Sequence, residues 1–366
     1  MLVEASSPTT SSSTPELEVA ALERRQSSCS LKRIKVLSPE ERMRQNLLTM
    51  WEHVGFKPGK LADQTQRINP SPLELFCTTA SLKGRRPHME DVDLVMASPN
   101  RDGHLVAIFD GHGGRAVAEK VASIFRERFF AAFEQNRYDP IEVFTDFCLE
   151  AQKETPEILA GSTGLFAHFD EDSNYLTVGN VGDSELHVYK KTEDGVIGIP
   201  VSDARNWTHP EEEARYLSVV DDEEMKAAWL AIDNPDNRRF PGVTKQADGT
   251  IVNGGVNAPR VFGGKLWWHT NKEGQKVTAF SSEPIVTCFQ PESGDKIVLA
   301  CDGIWKAVNE QRLIDEVITP HWDAPDLATR IIKYAYNVGS TDNLTAIVAN
   351  VAQKVLAEAP TTLPVE

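Results

Sequence analysis

No stretch of this chain approaches the apolar length that crossing a bilayer requires, roughly 20 residues, so no membrane span and no membrane partner is expected. Cysteine is scarce and odd in number: Cys29, Cys77, Cys148, Cys288 and Cys301 show no metal-ligand spacing, and no secretory signal precedes them. That argues against a disulfide framework and a thiolate metal site, and it predicts a reduced, intracellular setting, cytoplasmic with the nucleus also open. Positive charge is in deficit as well, with 38 Lys and Arg against 54 Asp and Glu for a formal net charge of −16. Such a surface repels nucleic acid, which is therefore not expected as a partner. Acid gathered in one place would instead draw a divalent cation.

Aromatic residues are absent from the first 30 positions, which are rich in Ser, Thr, Pro and Glu and cannot bury enough surface to offset ordering entropy. Disorder is expected there, with Ser27 after Arg24-Arg25 a candidate phosphosite. Ser38-Pro39-Glu40-Glu41 combines an N-cap, a first-turn proline and a capping-box glutamate, and predicts a helix over about 38–54. Pro70-Ser71-Pro72 marks a boundary. The expected division is an extension over 1–70, a folded domain over 71–355 and a disordered tail over 356–366. Within the domain, the segment 207–253, with Trp229, Arg238, Arg239 and Phe240, is expected to form a lid.

Short apolar runs recur beyond that boundary, at Leu94–Met96, Leu105–Phe109, Leu165–Phe169, Tyr175–Val178, Leu186–Tyr189, Ile285–Phe289, Ile297–Cys301 and Leu344–Val348. Helical periodicity is confined to about 115–135, 140–153, 309–318 and 324–337. Many strands joined by Gly, Asp and Asn turns, with few helices between them, predict an antiparallel α+β domain with a layered β core covered by helices.

The most informative run is Leu105 to Gly114. Five apolar residues read as a strand buried on both faces, and it ends on Asp110-Gly111-His112-Gly113-Gly114. A helix follows, with Ala118, Val121, Ala122, Phe125, Phe129, Ala132 and Phe133 on one face. Acids recur at other strand ends: Glu90-Asp91, Asp183, Asp302 and Asp342. Alternation along Ile297–Cys301 sends Cys301 toward the core and away from whatever Asp302 touches. If the acids converge, each close pair repels by about 4 kcal/mol at about 4 Å and an effective dielectric of about 20. Only cations make that tolerable, and oxygen ligands alone select a hard ion, Mg²⁺ or Mn²⁺.

In the motifs Arg86-Pro87-His88-Met89-Glu90-Asp91, Phe109-Asp110-Gly111-His112-Gly113-Gly114, Gly161-Ser162-Thr163, Asn180-Val181-Gly182-Asp183-Ser184, Gly254-Gly255 with Arg260-Val261, Leu299-Ala300-Cys301-Asp302-Gly303-Ile304-Trp305 and Ser340-Thr341-Asp342-Asn343-Leu344-Thr345, the chain resembles the metal-dependent protein phosphatases of type 2C. The resemblance covers roughly 75–352. It implies two stacked antiparallel sheets flanked by helices, with metals in a cleft at one end, and hydrolysis of phosphoserine and phosphothreonine by a metal-activated water. By the same resemblance Asp110 bridges two Mg²⁺ or Mn²⁺ ions, the Gly111 carbonyl joins one, Asp302 and Asp342 complete the other, and Glu90 acts through water. Arg86 holds the substrate phosphate, His112 protonates the leaving oxygen, and Asp91 and Asn343 support the ligands from behind. The implied partner is a phosphoprotein, met by a monomer.

The departures are informative too. Lys306 stands where the family usually has an Asp that, with Asp183, holds a third and looser ion, so a third ion is expected to bind poorly. After Gly263-Gly264 the family's Ser-Arg-x-x-Gly-Asp segment is expected, and Lys265-Leu266-Trp267 follows instead. The alternative reading is a pseudophosphatase, the same fold used as a binding scaffold; the retained Asp110, His112, Asp302 and Asp342 argue against it. A serine hydrolase built on Ser162 lacks the first glycine of the nucleophile elbow. A P-loop at Gly264-Lys265 lacks both the hydroxyl after Lys265 and the leading glycine.

Overall fold

The run at Leu105 lies at the centre of a layered α/β/β/α architecture in the computed structural model, which describes residues 73–98, 103–135, 140–171, 173–232, 238–245, 251–266 and 269–354. The expected helix over 38–54, Ser27 and the 356–366 tail lie outside the described residues. In chain order the strands are β1 (Leu73–Leu82), β2 (Val92–Ala97), β3 (Gly103–Phe109), β4 (Gly111–His112), β5 (Gly161–Ser162), β6 (Gly164–Asp170), β7 (Tyr175–Val181), β8 (Glu185–Thr192), β9 (Gly195–Pro200), β10 (Phe240–Lys245), β11 (Ile251–Val256), β12 (Phe262–Gly263), β13 (His269–Thr270), β14 (Lys276–Val277), β15 (Ile285–Phe289), β16 (Lys296–Ala300) and β17 (Leu344–Gln353). One five-stranded sheet has the order β1-β17-β16-β8-β9 and the other β15-β7-β6-β3-β2, with antiparallel pairing throughout. The fold is α+β.

The sandwich core follows from the two-residue period of the strands. Val106 and Ile108 of β3 meet Leu299 of β16 and Ile347 and Ala349 of β17 between the sheets. Their neighbours Leu105, Ala107 and Phe109 point outward, against helices α1 (Ala116–Gln135) and α2 (Pro140–Glu154). The double burial expected of Leu105–Phe109 is thereby accounted for. Phe125 of α1 is the hub of that outer layer, with Phe109, Phe147 and Phe166 edge-on at 5.1, 4.8 and 4.8 Å.

Helices α3 (Pro210–Val219) and α4 (Glu223–Leu230) and the β10–β11 hairpin occupy the segment expected as a lid. Pro210 opens α3 at its first position, and the Asp222 carboxylate caps α4 by accepting from the amides of Glu224 and Met225 at 3.0 and 3.1 Å. This segment has its own aromatic core of Trp207, Tyr216, Trp229 and Phe240, all fully buried, in which Tyr216 and Trp229 stack at 3.8 Å. Its reach exceeds the expected range, because Ala279 and Phe280 complete that core. A buried carboxylate, Glu212, ties α3 to the body through Arg205 and Arg260 and pairs within the helix with Arg215.

The other outer layer covers β16 and β17 with helices α5 (Asp302–Trp305), α6 (Glu310–Leu313) and α7 (Leu327–Asn337), and α6 runs on into a π-helical turn, Ile314–Ile318. Beneath it the imidazole of His187 stacks on Trp305 at 4.3 Å and lies between two carboxylates, Glu310 at 2.7 Å from Nδ1 and Glu185 at 2.8 Å from Nε2. Burial alone would lower its pKa, but hydrogen bonds to Glu185 and Glu310 outweigh it and raise the value from 6.5 to about 9. A folded-state pKa above the unfolded one means stability that is complete below about 6.5 and disappears as pH rises through about 9, on the order of 3 kcal/mol. The urea-unfolding difference between wild type and His187→Gln should therefore be large at pH 6 and shrink by pH 10. A difference that stays constant across that range would refute the pairing.

Candidate active site

Register decides which acids meet. Val92 opposes Phe109 across β2 and β3, so Glu90 and Asp91 arrive beside Asp110 as both chains leave the sheet. In the other sheet Glu185 opposes Ala300, which brings Asp183, in the turn before β8, to the same end as Asp302 at the start of α5. Ala300 also opposes Ala346, so Asp342, just before β17, joins them. Glycine permits the last approach: a Cβ on Gly303 would lie 2.1 Å from the Asn343 carbonyl oxygen, and Ser340 Oγ donates to the Gly303 carbonyl at 2.6 Å. His112 is set by a small ladder, β12-β5-β4, in which it opposes Gly161.

Arg86, Glu90, Asp110, Gly111, His112, Asp183, Asp302 and Asp342 line one cleft of about 380 Å³. All the first-rank positions expected from the sequence are therefore brought together. Asp91 and Asn343 are buried behind them. Asn343 clamps the Arg86–Glu90 loop: its Nδ2 donates to the carbonyls of Lys83 and His88 at 2.7 and 2.9 Å, and its Oδ1 accepts from the Glu90 amide at 2.9 Å. Asp91 accepts from Thr345 Oγ1 at 2.7 Å and has its other oxygen buried without a protein partner.

The electrostatics are those of crowded acid. Burial, then the charges of Asp91, Asp302 and Asp183, push the Asp110 carboxyl well above the usual carboxylate range. Burial is also the main reason Asp91 and Asp183 rise to about 6, with Asp302 adding to both. Two cationic side chains offset part of this. Arg86 pairs with Asp342 at 2.6 Å, and Lys306 Nζ spans Asp183 at 2.9 Å and Asp302 at 2.6 Å. Burial opposes the Lys306 charge, but these two carboxylates outweigh it and hold the ammonium protonated. The His112 ring has a shielded, unpartnered Nε2, and burial lowers its pKa to about 4. Carboxylates that face one space, with a buried oxygen of Asp91 left unpartnered, fit a hard divalent cation.

Two sequence readings need correction. Cys301 is buried in the sandwich core as expected, yet it does not face away from the acids. Its sulfur and carboxylate oxygens of Asp91 and Asp110 lie within 4.8 Å of one another, because those carboxyls reach into the open end of the sandwich. Burial raises the thiol pKa, which keeps Cys301 protonated. The Arg-x-x-Gly spacing sought after Gly264 occurs before it, as Arg260-Val261-Phe262-Gly263, with Arg260 buried against Glu212 at 2.7 Å. Sequence reasoning also missed Thr345 as a partner of Asp91, although the residue closes one of the recognised motifs. Ser162 is fully buried and donates to the Thr163 carbonyl at 2.8 Å, which removes it as a nucleophile.

Gly161 offers a direct check on the placement of His112. A Cβ there would stand 2.4 Å from His112 Nε2 and 2.9 Å from the Phe262 carbonyl oxygen. Gly161→Ala should displace the imidazole and lower stability by about 1–3 kcal/mol in denaturant unfolding. Wild-type stability in this variant, with an unchanged His112 NMR signal, would contradict the geometry.

Comparison with known proteins bears on the family and the fold. The family described as Protein phosphatase 2C matches residues 77–216 and 237–344, more than half of the chain. Among curated relatives, Protein spalten of Dictyostelium discoideum is 27% identical over 295 residues, covering 76% of this chain and 28% of that protein. The chain thus spans little more than a quarter of that relative. Probable protein phosphatase 2C 56 of Oryza sativa subsp. japonica is 27% identical, covering 74% of this chain and 68% of its own length. A phosphatase structure from Toxoplasma gondii shares the fold with a TM-score of 0.57 at 18% identity, covering 79% of this chain and 96% of that one. A structure of a C. elegans sex determining protein shares it at 0.56 and 20% identity, covering 75% and 64%. With motifs, register and cleft in agreement, this chain belongs to the Protein phosphatase 2C family.

Proposed function

We propose that the chain is a protein serine/threonine phosphatase that hydrolyses phosphoserine and phosphothreonine at a centre of two Mg²⁺ or Mn²⁺ ions. The observation that carries this reading is the convergence of Glu90, Asp110, Asp302 and Asp342 from separate strand ends on one cleft with Arg86 and His112. Asp110 would bridge the ions, the Gly111 carbonyl and Glu90 through water would serve one, and Asp302 and Asp342 the other. Such ions supply an acidified water and draw charge from the phosphoryl oxygens. Every other step belongs to the protein. Arg86, half-exposed and paired with Asp342, turns its guanidinium fork onto the incoming phosphate. His112, kept neutral by burial, gains a proton when the phosphate dianion comes beside it, and passes that proton to the departing seryl or threonyl oxygen. Asp91 and Asn343 hold the ligands in place from behind. The partner on this reading is a phosphoprotein, and one copy of the chain supplies every group named.

Lys306 favours a second reading, the binding scaffold, because its ammonium already occupies the Asp183–Asp302 pair. Turnover separates the two. Phosphothreonine peptide should be hydrolysed in Mn²⁺, and Asp302→Asn should reduce the rate by roughly a hundredfold or more, since even residues behind a ligand cost about 10- to 100-fold. A folded wild-type protein with no turnover would leave the scaffold. Native mass spectrometry gives a separate check on Lys306: wild type should hold two Mn²⁺ ions and Lys306→Asp three. Equal ion counts in the two proteins would show that the ammonium does not exclude a third.

A further inference from the structure

The arginines around the lid are used for internal pairing, with a single exception. Arg205 meets Asp203 at 2.8 Å and also Glu211, Arg238 meets Glu213 at 2.6 Å, Arg260 meets Glu212 at 2.7 Å, and Arg215 pairs with Glu212 as well. Among the described residues Arg239 has no carboxylate partner. Among the described residues its side chain makes one hydrogen bond, from Nη1 to the Gly255 carbonyl at 3.2 Å, and Arg239 lines the cleft that holds Asp110 and His112. The backbone beneath it is pinned, because Trp229 Nε1 donates to the Arg239 carbonyl at 3.1 Å and the next residue, Phe240, is fully buried in the aromatic core. A guanidinium fork on a rigid mount, turned into the cleft and left without an acid, is arranged for an anion it meets only when a ligand arrives. The other cleft cations are engaged: Arg86 with Asp342, and Lys306 with Asp183 and Asp302.

We propose that Arg239 is a specificity-determining residue that receives an anionic group, a carboxylate or a second phosphate, carried by the substrate peptide next to the phosphorylated residue. The assignment rests on the phosphatase reading, in which Arg86 takes the scissile phosphate. Arg239 stands instead on the wall built by the lid, with Gly255 and Asn257, and on this proposal the flanking residues of the peptide pass along that wall. Its contribution is to substrate choice and appears in KM.

The test uses the full chain with Mn²⁺ and phosphothreonine peptides that differ only in the flanks: alanine, glutamate, lysine, or a second phosphoserine. Wild type should favour the acidic peptides over the alanine peptide by about tenfold in KM with similar kcat, the size of one charge-assisted contact. The glutamate and phosphoserine arms tell which anion is preferred. Arg239→Ala should erase the preference, and Arg239→Glu should reverse it toward the lysine peptide. Equal loss on every peptide would overturn the proposal by placing Arg239 on the scissile phosphate, and a preference that survives both substitutions, or is absent from wild type, would overturn it too. Fluorescence anisotropy with the same peptides separates this from the phosphatase reading: Arg239-dependent discrimination in binding without turnover keeps the assignment and rejects the hydrolase, whereas turnover without discrimination does the reverse.

Discussion

Like charge held close is the constraint on which this structure depends. Asp91, Asp110, Asp183, Asp302 and Asp342 are brought to one end of a β-sandwich, and burial together with mutual repulsion raises Asp110, Asp91 and Asp183 above the usual carboxylate range. Side chains free to move would part. They stay because each sits at the end of a strand whose register is determined several residues away, in a core of Val106, Ile108, Leu299 and Ile347 that resists slippage. Hydrophobic packing in the body of the sandwich thus sustains an electrostatic arrangement at its rim.

The rim answers the repulsion in two ways. Oxygen ligands facing a common space suit a divalent ion, and the chain also supplies cations of its own. Lys306 lies across Asp183 and Asp302, and Arg86 against Asp342. The two side chains differ in kind. Arg86 is half-exposed on a loop clamped by Asn343 and holds a single carboxylate. Lys306 is held by two carboxylates at once and behaves as a built-in counterion.

The lid is a separate solution to a separate problem. Its core is built on Trp207, Tyr216, Trp229 and Phe240, and the buried Glu212 anchors it to the body through Arg205 and Arg260. Removing one member of such a cluster strands a buried charge, which gives the lid a defined seat against the cleft. That seat gives the position of Arg239 its meaning.

Local pattern alone determined much of this protein: the double-faced strand at Leu105–Phe109, the helix carrying Phe125 and Phe129, the antiparallel α+β class, and the acids standing at strand ends. These were legible because burial period and turn chemistry are written into neighbouring residues. β1 escaped notice because its run Thr78-Thr79-Ala80-Ser81 is polar for an edge strand buried on one face only. The lid's helices escaped because their apolar residues serve a private core. Only the tertiary structure decided that Cys301 lies beside Asp91 and Asp110, that Lys306 bridges two acids, and that Arg239 enters the cleft while Arg238 turns back to Glu213. Apart from the Lys306–Asp302 pair, four residues apart, those are contacts between residues remote in the chain, and their distances depend on sheet register and on glycine-permitted approaches that no local pattern encodes.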